Sequence, residues 1–116
     1  MARRRGQCFY CGVKLLKPSR PGRDDDQSYD HIVPKSLAKI WPDAFQHPKN
    51  VCKSCRWCNN RKAARPPLAW LRSMPEHGVD RFVVRLLLLG FPKGAIDDAL
   101  RRRAKVNATI KRVQKA

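Results

Sequence analysis

Apolar and polar residues along this chain change their rhythm at Pro66-Pro67. Before that point the apolar runs are short. Val13 to Leu16 reads as one strand of a hairpin. Ser28 to Val33 alternates weakly, carries Tyr29, Ile32 and Val33, and is ended by Pro34, so it reads as a strand. Asn50 to Lys53 reads as a second short strand. Residues 17–27 are rich in charge and turn formers and form an exposed loop, with Asp24, Asp25 and Asp26 at its tip. Ser36 to Trp41 holds a helical turn, after which Pro42 and Pro48 break the backbone. A helix starting near Arg56 runs to Arg65, where the proline pair stops it.

Beyond Pro66 the period becomes helical. Pro67 opens a helix through Met74, because proline is tolerated in a first turn. Asp80 to Leu89 carries a dense stripe of Phe82, Val83, Leu86, Leu87 and Leu89 and stops at Gly90. A last helix from about Gly94 to Lys115 collects Ile96, Ala99, Leu100, Val106, Ile110 and Val113 near one face, opposite many Arg and Lys. The expected class is α+β, with residues 1–66 as a mixed unit and residues 67–116 as a basic helical extension. At 116 residues the core is thin, and a metal or disulfides commonly help chains of this size.

Charge narrows the partners. The net charge is +17, and it is not confined to a tail. Residues 1–66 hold 15 basic against 5 acidic residues, and residues 67–116 hold 11 against 4. An excess of this size across both halves points to a polyanion, of which nucleic acid is the commonest. Arg3-Arg4-Arg5 and Arg101-Arg102-Arg103 are candidate backbone clamps, and Arg61 and Lys62 candidate phosphate contacts. No apolar stretch is long enough for a membrane span, since Arg85 interrupts the longest. The start MARRRGQC has no apolar segment behind its charges, so no signal peptide is expected, and a reducing cytoplasm is. In that compartment paired cysteines are metal ligands more often than disulfides.

Cys8-x2-Cys11 and Cys55-x2-Cys58 each grip one side of a tetrahedral ion, and four thiolates close its sphere, which makes the expected zinc structural. Cys52 also stands three residues before Cys55, so Cys52-x2-Cys55 is an alternative pair. The preferred reading keeps Cys55 and Cys58 as ligands and Cys52 as a small buried strand residue. His47 and His77 read as solvated. Trp57, inside the second cysteine turn, is a candidate for stacking on a base, whereas Trp41 and Trp70 read as packing residues.

Asp30-His31-Ile32-Val33-Pro34-Lys35-Ser36, then Asn50, then Cys55-Arg56-Trp57-Cys58-Asn59-Asn60-Arg61-Lys62 resembles the HNH endonuclease family, the His-Me or ββα-metal nucleases. The resemblance covers about residues 8–62. One letter departs from it: Asn59 stands where the family often has histidine. The implied fold is a small zinc-stapled ββα-metal nuclease core followed by an α-helical C-terminal extension. The implied activity is metal-dependent cleavage of DNA, as in small phage, prophage and mobile-element enzymes. Implied partners are DNA and phage packaging or replication proteins, with the chain as monomer or homodimer. Asn50 is implied to orient the loop that bears His31, in support of the reacting groups.

The chemistry asks for the same residue types. Histidine titrates near neutrality and can take a proton from water. Oxygen ligands from Asp30 and Asn59 suit magnesium or manganese, which relieve phosphate charge and stabilise a leaving oxygen. Neighbours on a strand point to opposite sides, so Asp30 and His31 meet at one phosphate only if the strand distorts or the side chains reach around it. The resemblance implies that they do converge. A zinc-ribbon nucleic-acid-binding module without activity also explains the cysteines and the charge, but not the register of Asp30, His31, Asn50 and Asn59. A zinc deaminase needs His-x-Glu, and His31-Ile32-Val33 has no glutamate.

Overall fold

The computed structural model describes residues 6–15 and 27–115, with side chains described as far as residue 107. Its elements are β1 (Gln27–His31), α1 (Pro42–Gln46), β2 (Val51–Cys55), α2 (Arg56–Lys62), α3 (Pro67–Ser73), α4 (Val79–Leu88) and α5 (Lys93–Lys115). This is a small α+β arrangement. β1 and β2 pair antiparallel, with Gln27 opposite Cys55 and His31 opposite Val51. Their alternation is sharp. Asp30, Cys52 and Ser54 are buried on the inner face, while Tyr29, His31, Val51 and Lys53 stand exposed on the outer one.

Several ends differ from the sequence expectation, each for a local reason. β1 stops at His31 instead of Val33 because Asn50 takes over the next backbone groups: Ile32 N donates to Asn50 O at 2.8 Å and Val33 N to Asn50 Oδ1 at 2.7 Å. Pro42 begins a helix rather than breaking one, since its missing N–H falls in the first turn. α2 ends at Lys62, three residues early, because Ala63 adopts φ 47° and leaves helical space. Among the described residues, the apolar piece after Cys11 forms only an isolated bridge, Gln7 to Lys14, within a knuckle that hooks to β2 through Phe9 N and Lys53 O at 2.9 Å; Leu16 lies outside them.

The helices after Pro67 pack into the same core as the residues before it. Tyr10, fully buried between Cys8 and Cys11, packs edge-on against Trp70 (5.4 Å between centroids) and Phe82 (5.7 Å). Gly78 lies so close to the Tyr10 carbonyl that any Cβ there would collide with it. One buried cluster runs from Cys8 and Ile32 through Trp70, Phe82 and Leu86 to Ile96 and Ala99. Each such side chain contributes about 1.5–3 kcal/mol on leaving water. α5 joins through Ile96, Ala99 and Arg103, but Val106, expected on its apolar face, is 54 % exposed. No helix among the described residues is long and apolar enough to cross a membrane.

Candidate functional site

Four sulfurs come together at one end of the sheet. The Sγ atoms of Cys8, Cys11, Cys55 and Cys58 all lie within 4.8 Å of one another, and Cys11 and Cys55 are 3.7 Å apart. A tetrahedral ion with bonds of about 2.3 Å separates its sulfurs by about 3.8 Å, so the set suits a metal such as zinc. Each pair is built by a turn that aims backbone N–H groups at sulfur. Tyr10 N and Cys11 N approach Cys8 Sγ at 3.4 and 3.5 Å, and Gly12 closes that knuckle at φ 80°. Cys55 Sγ accepts from Cys58 N at 3.4 Å, so the second knuckle is also the N-cap of α2.

A hydrogen bond from Cys58 lowers the Cys8 thiol below its ordinary range, while that bond and burial push Cys58 up. Burial raises Cys55 to about 11. Crowded thiols cannot all ionise alone, and a dication supplies the missing charge. Cys52 stands apart from this set. It lies on the inner face of β2, 3.5 Å from the Tyr10 hydroxyl, and burial raises it to about 12.

Asp30 is 6 % exposed and sits in a buried polar knot. Its Oδ2 accepts the Tyr10 O–H at 2.5 Å and lies 3.2 Å from Lys62 Nζ. Lys62 is fully buried, and its ammonium also donates to the His31 carbonyl at 2.9 Å. Lys62 is therefore corrected from a phosphate contact to an internal cation: an ammonium with no exposure cannot reach a nucleic acid. The Tyr10 hydroxyl is raised well above its ordinary range, mainly by burial.

His31 leaves the opposite face of β1 and is exposed, its ring stacked on Phe45 at 5.7 Å with 17° between planes. β1 thus keeps its alternation, and Asp30 and His31 point to different sides. Asn50, fully buried, governs the backbone around His31. Beyond the Val33 N–H, it donates from Nδ2 to Val33 O at 3.2 Å and to Phe45 O at 3.1 Å. One side chain therefore holds both the turn after His31 and the residue whose ring braces it.

Asn59, on the second turn of α2, is half-buried and donates from Nδ2 to Ser28 Oγ at 3.1 Å, two residues along the inner face from Asp30. Asn59 Oδ1 and Asp30 Oδ1 accept no hydrogen bond among the described residues. The donor set fits magnesium or manganese chemically.

The basic candidates separate. Arg61 is exposed, with its guanidinium 4.7 Å above the Trp57 ring. Arg101 and Arg102 are exposed and pair with Asp98 at 3.5 and 2.9 Å. Arg103 is corrected from a clamp to a structural residue. It is buried, donating to Leu71 O at 3.1 Å and to Glu76 at 2.9 Å. Arg3, Arg4 and Arg5 lie outside the described residues. Sequence reasoning missed Tyr10, Phe45 and Ser28 around the site. The one available signal was Tyr10, an aromatic between two ligand cysteines. No family model matches the chain, and neither a characterised protein nor a solved structure matches it.

Proposed function

We propose that this chain is a divalent-metal-dependent DNA endonuclease of the HNH type. The observation that carries the proposal is His31: an exposed imidazole at the end of β1, braced by Phe45, its following turn pinned by the buried Asn50. A strand pair and helix closed by a four-cysteine metal site make a rigid support for it.

In this reading the scissile phosphate lies beside the exposed His31 at the end of β1. His31 takes the proton of the attacking water at its imidazole. Asp30 Oδ1 and Asn59 Oδ1 would hold magnesium or manganese, which supplies charge relief on the phosphate and the leaving oxygen when bound. Lys62 and Tyr10 hold the other Asp30 oxygen and so orient the free one. The +17 charge draws the polyanionic substrate in.

A nucleic-acid-binding zinc module without activity is the second reading, favoured by the fact that Asp30 is already neutralised by Lys62. Relaxation of supercoiled plasmid by the zinc-loaded protein, with magnesium or manganese added, separates the two. The wild type is expected to nick or cut, and His31→Ala to be folded and inactive. A wild type inert with both ions selects the binding module. A fully active His31→Ala removes His31 from the chemistry.

A further inference from the structure

Outside this site, the described surface carries a cleft between α3 and α5 of about 660 Å³. Its walls are cationic: Arg65 from the turn after α2, Arg72 from α3, and Arg102 and Lys105 from α5. Its floor includes Ala69 and Val106, no carboxylate is among its described lining residues, and Arg102 also pairs with Asp98. We propose that this cleft holds the phosphate backbone of a DNA duplex. The proposal rests on the nuclease reading for its biological sense, and names where the substrate would be gripped.

Four observations carry it. First, the cations are gathered by the fold. Arg72 and Ala69 are three apart on α3, and Arg102 and Lys105 three apart on α5, so each pair shares a helical face. Secondly, Arg65 and Arg72 are exposed and make no side-chain hydrogen bond or ion pair among the described residues. Two exposed guanidiniums in one cleft repel one another, and a phosphate, which each fork can bind in bidentate fashion, relieves that repulsion. Thirdly, the walls are fixed. Arg103 ties α5 to the Leu71 carbonyl of α3 and to Glu76, so the cleft does not need to be assembled by its ligand. Fourthly, hydrogen bonds tie the cleft to the site. Arg65 N donates to the Lys62 carbonyl at 3.0 Å, and Lys62 in turn donates to the carbonyl of His31.

The occupant follows from the lining. Grooves for single strands stack bases on aromatic rings, and no aromatic side chain is among the described residues lining this one. Cations over a small apolar floor suit a duplex backbone, read without sequence.

The test is fluorescence anisotropy of a labelled random-sequence duplex with the zinc-loaded full chain, in the His31→Ala background so that nothing is cut. Salt is varied from about 50 to 200 mM. Each phosphate contact adds about 0.9 to the slope of log affinity against log salt, or about eightfold at 0.1 M. Arg65→Gln/Arg72→Gln is therefore expected to bind roughly 60-fold more weakly at 0.1 M salt, with a slope shallower by about 1.8. Lys14→Gln/Lys93→Gln, which removes the same charge outside the cleft, is expected to lose far less.

Equal losses in the two double variants, an unchanged Arg65→Gln/Arg72→Gln, or tighter binding of the single strand than of the duplex would each overturn the proposal. The two readings fail separately. A wild type that grips the duplex as described but never cleaves it defeats the nuclease reading and leaves the cleft. Cleavage with no loss of binding in the Arg65/Arg72 variant does the reverse.

Discussion

Lys62 and Asp30 form a buried ion pair, Nζ to Oδ2 at 3.2 Å, with side-chain exposures of 0 and 7 %. The two lie 32 positions apart in the chain, on α2 and β1, so the pair fastens helix to strand directly beneath His31. Burying both charges is expensive, and the pair holds only because Tyr10 and the His31 carbonyl satisfy the remaining groups. Removing one partner strands the other. Lys62→Met is expected to cost about 3–5 kcal/mol, and Asp30→Asn/Lys62→Met clearly less. Urea unfolding of the zinc-loaded proteins measures both. A Lys62→Met loss below about 1 kcal/mol would mean the pair is solvated rather than buried.

Asn50→Ala orphans the Val33 N–H and two carbonyls in the interior. Each unsatisfied buried group costs about 1–3 kcal/mol, so a loss of about 3 kcal/mol or more is expected, with plasmid nicking reduced because the turn after His31 is released. His31→Ala should leave the melting temperature nearly unchanged, since its ring is exposed. If thermal melts rank these two variants the other way, the support assigned to Asn50 is wrong.

Removing zinc is expected to disturb the molecule well past Pro66. Tyr10 stands between two cysteines of the cluster and packs on Trp70, which is 1 % exposed. A chelator should release about one equivalent of zinc and shift the tryptophan emission to the red as Trp70 meets water. Cys58→Ser should do the same, whereas Cys52→Ala should keep its zinc. A chelated protein with unaltered emission would show the helices to be independent of the cysteine site.

Ala63 is a non-glycine residue at φ 47°, ψ −131°. That region costs about 1–3 kcal/mol for a side chain bearing a Cβ, and it lets α2 end and Arg65 turn towards α3. Ala63→Gly is expected to raise stability by about 1 kcal/mol, and Ala63→Val to lower it by more. Thermal denaturation of the three proteins checks the order.

Much of the framework was legible because it is local. The spacing of Cys8, Cys11, Cys55 and Cys58 reports turn geometry, and turns need no distant partner. The stripe of Phe82 and Leu86 reports the period of one helix, as does the stop at Gly90. The errors arose where a residue's partner lies far along the chain. Lys62 and Arg103 look like surface cations in any local window. They are buried because Asp30, Glu76 and two distant carbonyls meet them.

By itself, then, the chain's order of residues indicated most of the elements, the four cysteines that could hold a metal, the excess of positive charge and the alternation that sends Asp30 and His31 to opposite faces. The tertiary structure decided which side of each element is inside. It closed Tyr10 against Trp70 so that no break falls at Pro66-Pro67. It spent Lys62 and Arg103 on interior partners and left Arg65 and Arg72 facing solvent in one cleft. Periodicity marks a face along one element. What stands opposite that face depends on packing between segments, which burial and charge pairing choose only when the whole chain is folded.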